Sequence, residues 1–177
     1  MHVQLDPAVR PTQAGLRYPV SKIPIISNRI NEMIREGYLT KVTEPTPRCS
    51  PLTSVDRTNN KLRICMDPVR TLNFAIKRPL YPMPTLEKNL YQLMNAKCFT
   101  LARALVGFSQ VQLDDGSSHL TAMHIPIGRV GWLRLPSGIC SAPAEFQRGQ
   151  REVLEGLDEV INLADDILIF GRGRYTQ

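Results

Sequence analysis

Two short apolar runs, Val160-Ile161-Asn162-Leu163 and Ile167-Leu168-Ile169-Phe170, flank the adjacent carboxylates Asp165 and Asp166. Runs of this length rich in β-branched residues read as strands, and a polar break between two of them reads as a hairpin. The pattern therefore predicts a tight turn near 164–166 with two negative charges facing outward. Two readings of that pair stand side by side. Asp favours turns for backbone reasons alone, and a pair of carboxylates is also a natural holder for Mg²⁺, a hard cation that takes oxygen ligands.

The rest of the chain supplies strands and helices without regular alternation. Ile26, Ile30, Met33 and Ile34 share one helical face, with Ser27 or Asn28 as a candidate N-cap and Gly37 just past the end. A proline-broken link, 43–51, leads to a predicted hairpin of Leu52–Val55 and Lys61–Asp67 around Thr58-Asn59-Asn60. Its second strand puts Lys61, Arg63 and Cys65 on one face. Lys61 and Arg63 there suit either a solvated edge or a triphosphate, because a guanidinium matches phosphate oxygens.

An irregular segment, 68–84, precedes a helix capped by Thr85 and packed through Leu86, Leu90 and Leu93. Strands are predicted over Cys98–Leu105, at Val111 and Leu113, over His124–Pro126 and over Val130–Leu135, with a turn at Gly116-Ser117-Ser118. Leu135-Pro136-Ser137-Gly138 reads as a loop. A second helix starts at Ser141-Ala142-Pro143, where an early proline costs no hydrogen bond, and buries Phe146, Val153, Leu154 and Leu157. Four or more strands with about three helices in this order predict an α+β fold, and the first 20 residues read as an extended arm.

A net charge of +6 suits a partner rich in phosphate. Cys49, Cys65, Cys98 and Cys140 form no Cys-x-x-Cys pair and no His clusters with them, which argues against zinc. The sequence shows neither a signal peptide nor a long apolar span, so an intracellular protein with reduced thiols and no membrane partner is expected.

Six stretches together are similar to one family. They are Val42-Thr43-Glu44-Pro45-Thr46, Lys61-Leu62-Arg63-Ile64-Cys65-Met66-Asp67-Pro68, Tyr81-Pro82-Met83-Pro84-Thr85-Leu86-Glu87, Leu133-Arg134-Leu135-Pro136, Ser141-Ala142-Pro143 with Phe146-Gln147-Arg148, and Ala164-Asp165-Asp166-Ile167-Leu168. In that order, across roughly residues 18 to 172, the chain resembles the polymerase region of reverse transcriptases, closest to gypsy-type retrotransposons and related retroelement pol polyproteins.

The resemblance implies a right-hand polymerase fold with an antiparallel palm sheet backed by helices. Fingers would span 21–98 and palm 99–177, with 115–135 partly returning to the fingers. Thumb, connection and ribonuclease H parts would follow the palm, and the sequence stops at Gln177, so the thumb is expected to be absent. It also implies an RNA or DNA template-primer and a dNTP as partners, and Mg²⁺ as the ancestral cofactor.

In the family, two Mg²⁺ about 4 Å apart are clamped by three Asp, one on the first palm strand and two at the hairpin turn. The pair carries over to Asp165 and Asp166 as catalytic, metal-binding residues. The first does not. The family's Phe-Thr-x-Leu-Asp-Ala-x-x-Gly-Phe-x-Gln appears here as Phe99-Thr100-Leu101-Ala102-Arg103-Ala104-Leu105-Val106-Gly107-Phe108-Ser109-Gln110, so Arg103 stands where the carboxylate belongs.

An Arg cannot give up its proton, and its charge repels the cations. A rate loss beyond about a thousandfold is expected. Arg103 could instead pair with Asp165 or Asp166. By the same resemblance Lys61, Arg63, Phe108 and Gln110 would serve the incoming nucleotide, Phe108 as the gate under its sugar. Leu135, Pro136, Ser137 and Gly138 would meet template and primer. Two function classes follow: a defective polymerase domain, or a non-catalytic nucleic-acid- or protein-binding module on the same fold.

Overall fold

A computed structural model describes residues 1–13, 18–56, 62–77, 81 and 86–173, the side chains of Asp56, Leu86 and Lys88 excepted. Among the described residues are eight strands and four α-helices, the expected α+β class. The chain forms two compact units, Met1–Arg78 with Phe108–Ala142, and Pro79–Gly107 with Pro143–Gln177.

The first unit holds helix α1 (Ile23–Arg35), strands β1 (Leu39–Lys41), β2 (Leu52–Asp56) and β3 (Leu62–Met66), helix α3 (Asp115–Leu120), and strands β5 (Met123–Ile125) and β6 (Gly128–Trp132). β1, β6 and β5 make one antiparallel sheet, and β2 with β3 make the expected hairpin. Ile26, Ile30 and Met33 of α1 enter a core with Leu39, Leu62, Ile64, Leu72, Met123, Val130 and Trp132. Gly37 sits at φ +74 just past α1, as its position predicts.

The helix starts earlier than expected, at Ile23 with Pro24 in its first turn, and Lys22 caps it without a side-chain hydrogen bond. Ser27 is therefore interior rather than a cap, and its hydroxyl is buried without a protein partner. The N-terminal arm is extended but tied down. Leu5 bridges Ile76, Gln13 bridges Cys49, and the Tyr18 hydroxyl donates to His124 O at 2.9 Å while accepting from Leu52 N.

Gly116-Ser117-Ser118 is helical, not a turn. The Asp114 side chain accepts from Ser117 N at 2.9 Å and from the Ser117 hydroxyl at 3.0 Å, so the N-cap overrides the turn-like composition. Small Ser117 and Ser118 are what the close approach of α3 to β6 admits, with Ser118 O lying near Gly131. Instead of a strand at Val111 and Leu113, a short 3₁₀ turn spans Gly107–Gln110, and Gln112 makes an isolated bridge with Arg134. β5 and β6 lie one to three residues before the predicted strand ends. Thr58-Asn59-Asn60, the Thr85 cap and the Leu86 side chain lie outside the described residues.

The second unit carries α2 (Leu86–Asn89), β4 (Cys98–Arg103), α4 (Ala142–Val153) from Pro143 on, β7 (Val160–Leu163) and β8 (Asp166–Gly171). Its sheet has the order β4-β8-β7, antiparallel throughout. β4 ends at Arg103, two residues short of the expected Leu105. The helix beginning with α2 tightens into a 3₁₀ turn over Leu90–Leu93, whose shorter period turns Leu90 out to 50% exposure. Phe146, Ile161 and Phe170 are buried. Val153 and Leu157 are not, at 82% and 58% exposure, and Leu154 is only half-buried. α4 ends at Val153, so the helical period that would have carried 154 and 157 onto the buried face is broken.

Burial raises the Asp114 carboxyl pKa, but the Ser117 N–H, the Ser117 hydroxyl and His2 more than offset it, and the net value lies below the ordinary one. A depressed carboxyl contributes stability at neutral pH that is lost as pH falls through its folded value. Asp114→Ala is expected to cost about 1 kcal/mol at pH 7 in urea unfolding, with the deficit shrinking toward zero in strong acid.

Candidate active site

The Asp165–Asp166 turn is built by three neighbours in the second unit. β4 pairs with β8 over six positions, and the last pair is Arg103 with Asp166. Cross-strand partners share a face, so the register alone brings those two side chains together. Arg103 Nε donates to Asp166 Oδ1 at 2.7 Å and Nη2 to Oδ2 at 3.3 Å, a two-pronged guanidinium–carboxylate contact. Of the two expected partners, Arg103 takes Asp166. Asp166 itself is not in the loop but opens β8, opposite Leu163 of β7.

The loop proper is Ala164-Asp165. Ala164 has φ +52, a left-handed backbone that L-residues rarely adopt, and its N–H donates to Gln147 Oε1 at 2.8 Å. Gln147 lies on α4, 2% exposed, and its amide also donates to the Asn162 side-chain oxygen and to Asn162 O. Asn162 donates in turn to Gln150 at 2.9 Å. Past β4, Ala104 N donates to Asp165 O at 2.8 Å.

Gly107 completes the turn's surroundings. A Cβ on it would lie 2.8 Å from Phe146 Cζ and 2.9 Å from Asp165 Oδ1. Sequence reasoning singled out neither Gly107 nor Gln147 as site residues. The Phe146-Gln147 stretch was visible only as a motif, and the close approach at Gly107 depends on long-range packing.

The hydrogen bond from Arg103, and then its charge, hold the Asp166 carboxyl below its ordinary pKa. The same bond, the Asp166 charge and the Asp165 charge raise Arg103. The pair thus stays ionised at neutral pH and separates only once pH falls below the usual carboxylate range. It is open to solvent, Arg103 at 70% and Asp166 at 40% side-chain exposure, so salt screens it.

This donor set does not fit a two-cation centre. One carboxylate has both oxygens on a guanidinium, and the third position carries a cation. Among the described residues, no group of three or more His, Cys, Asp or Glu is placed to hold a metal ion.

The other expected site residues fall in the first unit. Arg63, exposed on β3, donates to the Ser137 hydroxyl at 3.1 Å, which brings one nucleotide-site candidate to the loop expected to meet template. Leu135 and Pro136 of that loop are fully buried, so the surface it offers is Ser137 and Gly138. Gly138, at φ +109, would drive a Cβ to 2.8 Å from Met66 O.

Asn73 braces the same loop. Its amide donates to Gly138 O at 2.8 Å, and its oxygen accepts from Cys140 N at 2.9 Å. Phe108 is half-buried and packs against the first unit's core. Gln110 O accepts from Arg134 at 3.4 Å. Lys61 lies outside the described residues.

A family model described as reverse transcriptase (RNA-dependent DNA polymerase) matches residues 15–176. The retrovirus-related Pol polyprotein of transposon 297 from Drosophila melanogaster is 30% identical over 161 residues, which cover 87% of this chain and 15% of that protein. The transposon Tf2-3 polyprotein of Schizosaccharomyces pombe is 27% identical over 177 residues, covering 95% of this chain and 13% of its own length. The chain therefore spans only about a seventh of these relatives.

Among solved structures, the prototype foamy virus protease–reverse transcriptase superposes with a TM-score of 0.78 at 23% identity, covering 92% of this chain and 22% of that one. The foamy viral protease–reverse transcriptase in complex with an RNA/DNA hybrid superposes with a TM-score of 0.75 at 20% identity and the same coverage.

Gly107→Ala must displace Phe146 or Asp165. It is expected to destabilise the protein by about 1–3 kcal/mol and to speed amide exchange at Ala104 and through 160–171. Gln147→Leu keeps the volume but removes the amide from the turn. It is expected to cost about 1–2 kcal/mol in urea unfolding, with faster exchange at Ala164 the local sign.

Proposed function

The chain belongs to the reverse transcriptase (RNA-dependent DNA polymerase) family, and from that premise we propose that it is a retroelement pol domain that no longer carries out nucleotidyl transfer. The observation that carries the reading is the Arg103–Asp166 contact. Phosphoryl transfer of this kind rests on positioning and on neutralising charge by cations held between carboxylates. Here a protein cation is bound to one of the carboxylates, and the matching position on β4 supplies no acid.

We read the unit of Met1–Arg78 with Phe108–Ala142 as fingers and that of Pro79–Gly107 with Pro143–Gln177 as palm. This moves the expected boundary from 98/99 to 78/79 and returns 108–142 to the fingers. In this reading Arg63, Ser137 and Gly138 face the nucleotide and template, with Phe108 at the sugar. A template-primer remains the natural partner. The net charge of +6 supports it, as does the RNA/DNA hybrid held by the foamy viral relative.

The second reading keeps the fold as a nucleic-acid- or protein-binding module without catalysis. The same Arg103 substitution favours it, because losing a metal site changes none of the residues of the Arg63–Ser137 surface.

Primer extension tests the first reading. The purified chain is expected to extend a primer on RNA or DNA at no rate above background with Mg²⁺ or Mn²⁺ present. Long products from the unaltered chain would overturn it. A salt titration with RNA/DNA hybrid tests binding: affinity should fall steeply as salt rises, and no binding at low salt removes the nucleic-acid reading.

A further inference from the structure

Two adjacent carboxylates at a tight turn repel one another and need a nearby positive charge. In this molecule that charge comes from the protein. The guanidinium of Arg103 occupies both oxygens of Asp166, and its position is enforced by a six-pair ladder between β4 and β8. The turn is held from the helix side by neutral donors and acceptors, Gln147 on Ala164 N and on Asn162, and from the β4 side by Ala104 N on Asp165 O.

We propose that Arg103 is the resident cation of this turn: it stands in for a divalent metal, so that the hairpin assembles without metal and does not take one up. The proposal rests on the reading that the turn descends from a metal-binding one. It goes further, by assigning Arg103 a positioning role in place of the lost chemistry.

Three features support the assignment. A guanidinium cannot release its proton to make room for a metal. Its charge leaves the trio of Arg103, Asp165 and Asp166 with one net negative charge, against three if residue 103 were an acid. Finally, Asp165 is then the one carboxylate left to a metal, whereas a hard divalent cation held by protein wants several oxygens in fixed geometry.

Mn²⁺, which reports its own binding by electron paramagnetic resonance, is the probe. It is titrated into the unaltered chain, Arg103→Gln and Arg103→Asp, and thermal unfolding is followed with Mn²⁺ and with EDTA. The unaltered chain is expected to show no saturable binding and the same Tm in both solutions. Arg103→Asp is expected to bind Mn²⁺ saturably, at least about tenfold tighter than the unaltered chain, with a Tm that rises with Mn²⁺ and falls in EDTA. Arg103→Gln, which removes the charge but keeps a polar side chain, should fall between.

If Arg103→Asp is unfolded in EDTA, Mn²⁺-driven recovery of its far-ultraviolet circular dichroism gives the same readout. Saturable Mn²⁺ binding by the unaltered chain, abolished by Asp166→Asn, overturns the proposal even where primer extension remains absent. So does Arg103→Asp binding no more Mn²⁺ than the unaltered chain, since the guanidinium would then not be what excludes the metal. Extension activity overturns the functional reading separately.

Discussion

The register of β4 against β8 is the constraint on which the second unit's chemistry depends. Six consecutive pairs, from Cys98 with Gly171 to Arg103 with Asp166, leave one arrangement of side chains across the ladder. A slip by one residue would send Arg103 to the opposite face. Because the ladder ends at this pair, the guanidinium is delivered to the carboxylate by backbone hydrogen bonding rather than by its own attraction. That matters for an exposed pair: solvent and salt weaken the Coulombic part, while the geometry is set by the sheet.

The hairpin is pinned from two directions by different chemistry. Gln147 offers a neutral amide, buried and fully used, which satisfies the N–H of a residue in a left-handed conformation. Arg103 offers a charge at the other edge. Gly107 makes the arrangement possible by what it lacks, since a Cβ there would meet both the Phe146 ring and the Asp165 carboxylate. The carboxylates of the turn are arranged by packing, hydrogen bonds and a protein cation.

The first unit shows the same division between scaffold and surface. Leu135 and Pro136 root the 135–138 loop in the core, and Asn73 ties its far end through two hydrogen bonds. Only Ser137 and Gly138 are then presented, beside Arg63. A loop held this way has little conformational freedom left to lose.

The sequence by itself determined the α+β class, the helical face of Ile26, Ile30 and Met33, and the hairpin carrying Asp165 and Asp166. These are local or periodic properties, written in spacing and residue type. It misplaced the cap of α1, read the helix after Asp114 as a turn, and buried Val153, Leu154 and Leu157. Each depends on where an element stops, and that is decided by hydrogen bonds the pattern does not display.

Only the tertiary structure chose Asp166 over Asp165 as the partner of Arg103. Only it revealed Gln147, Asn73 and Gly107 as the groups that hold the two loops. Their roles come from contacts between residues distant in the chain, and no local spacing encodes which of two neighbouring side chains a sheet register will bring across.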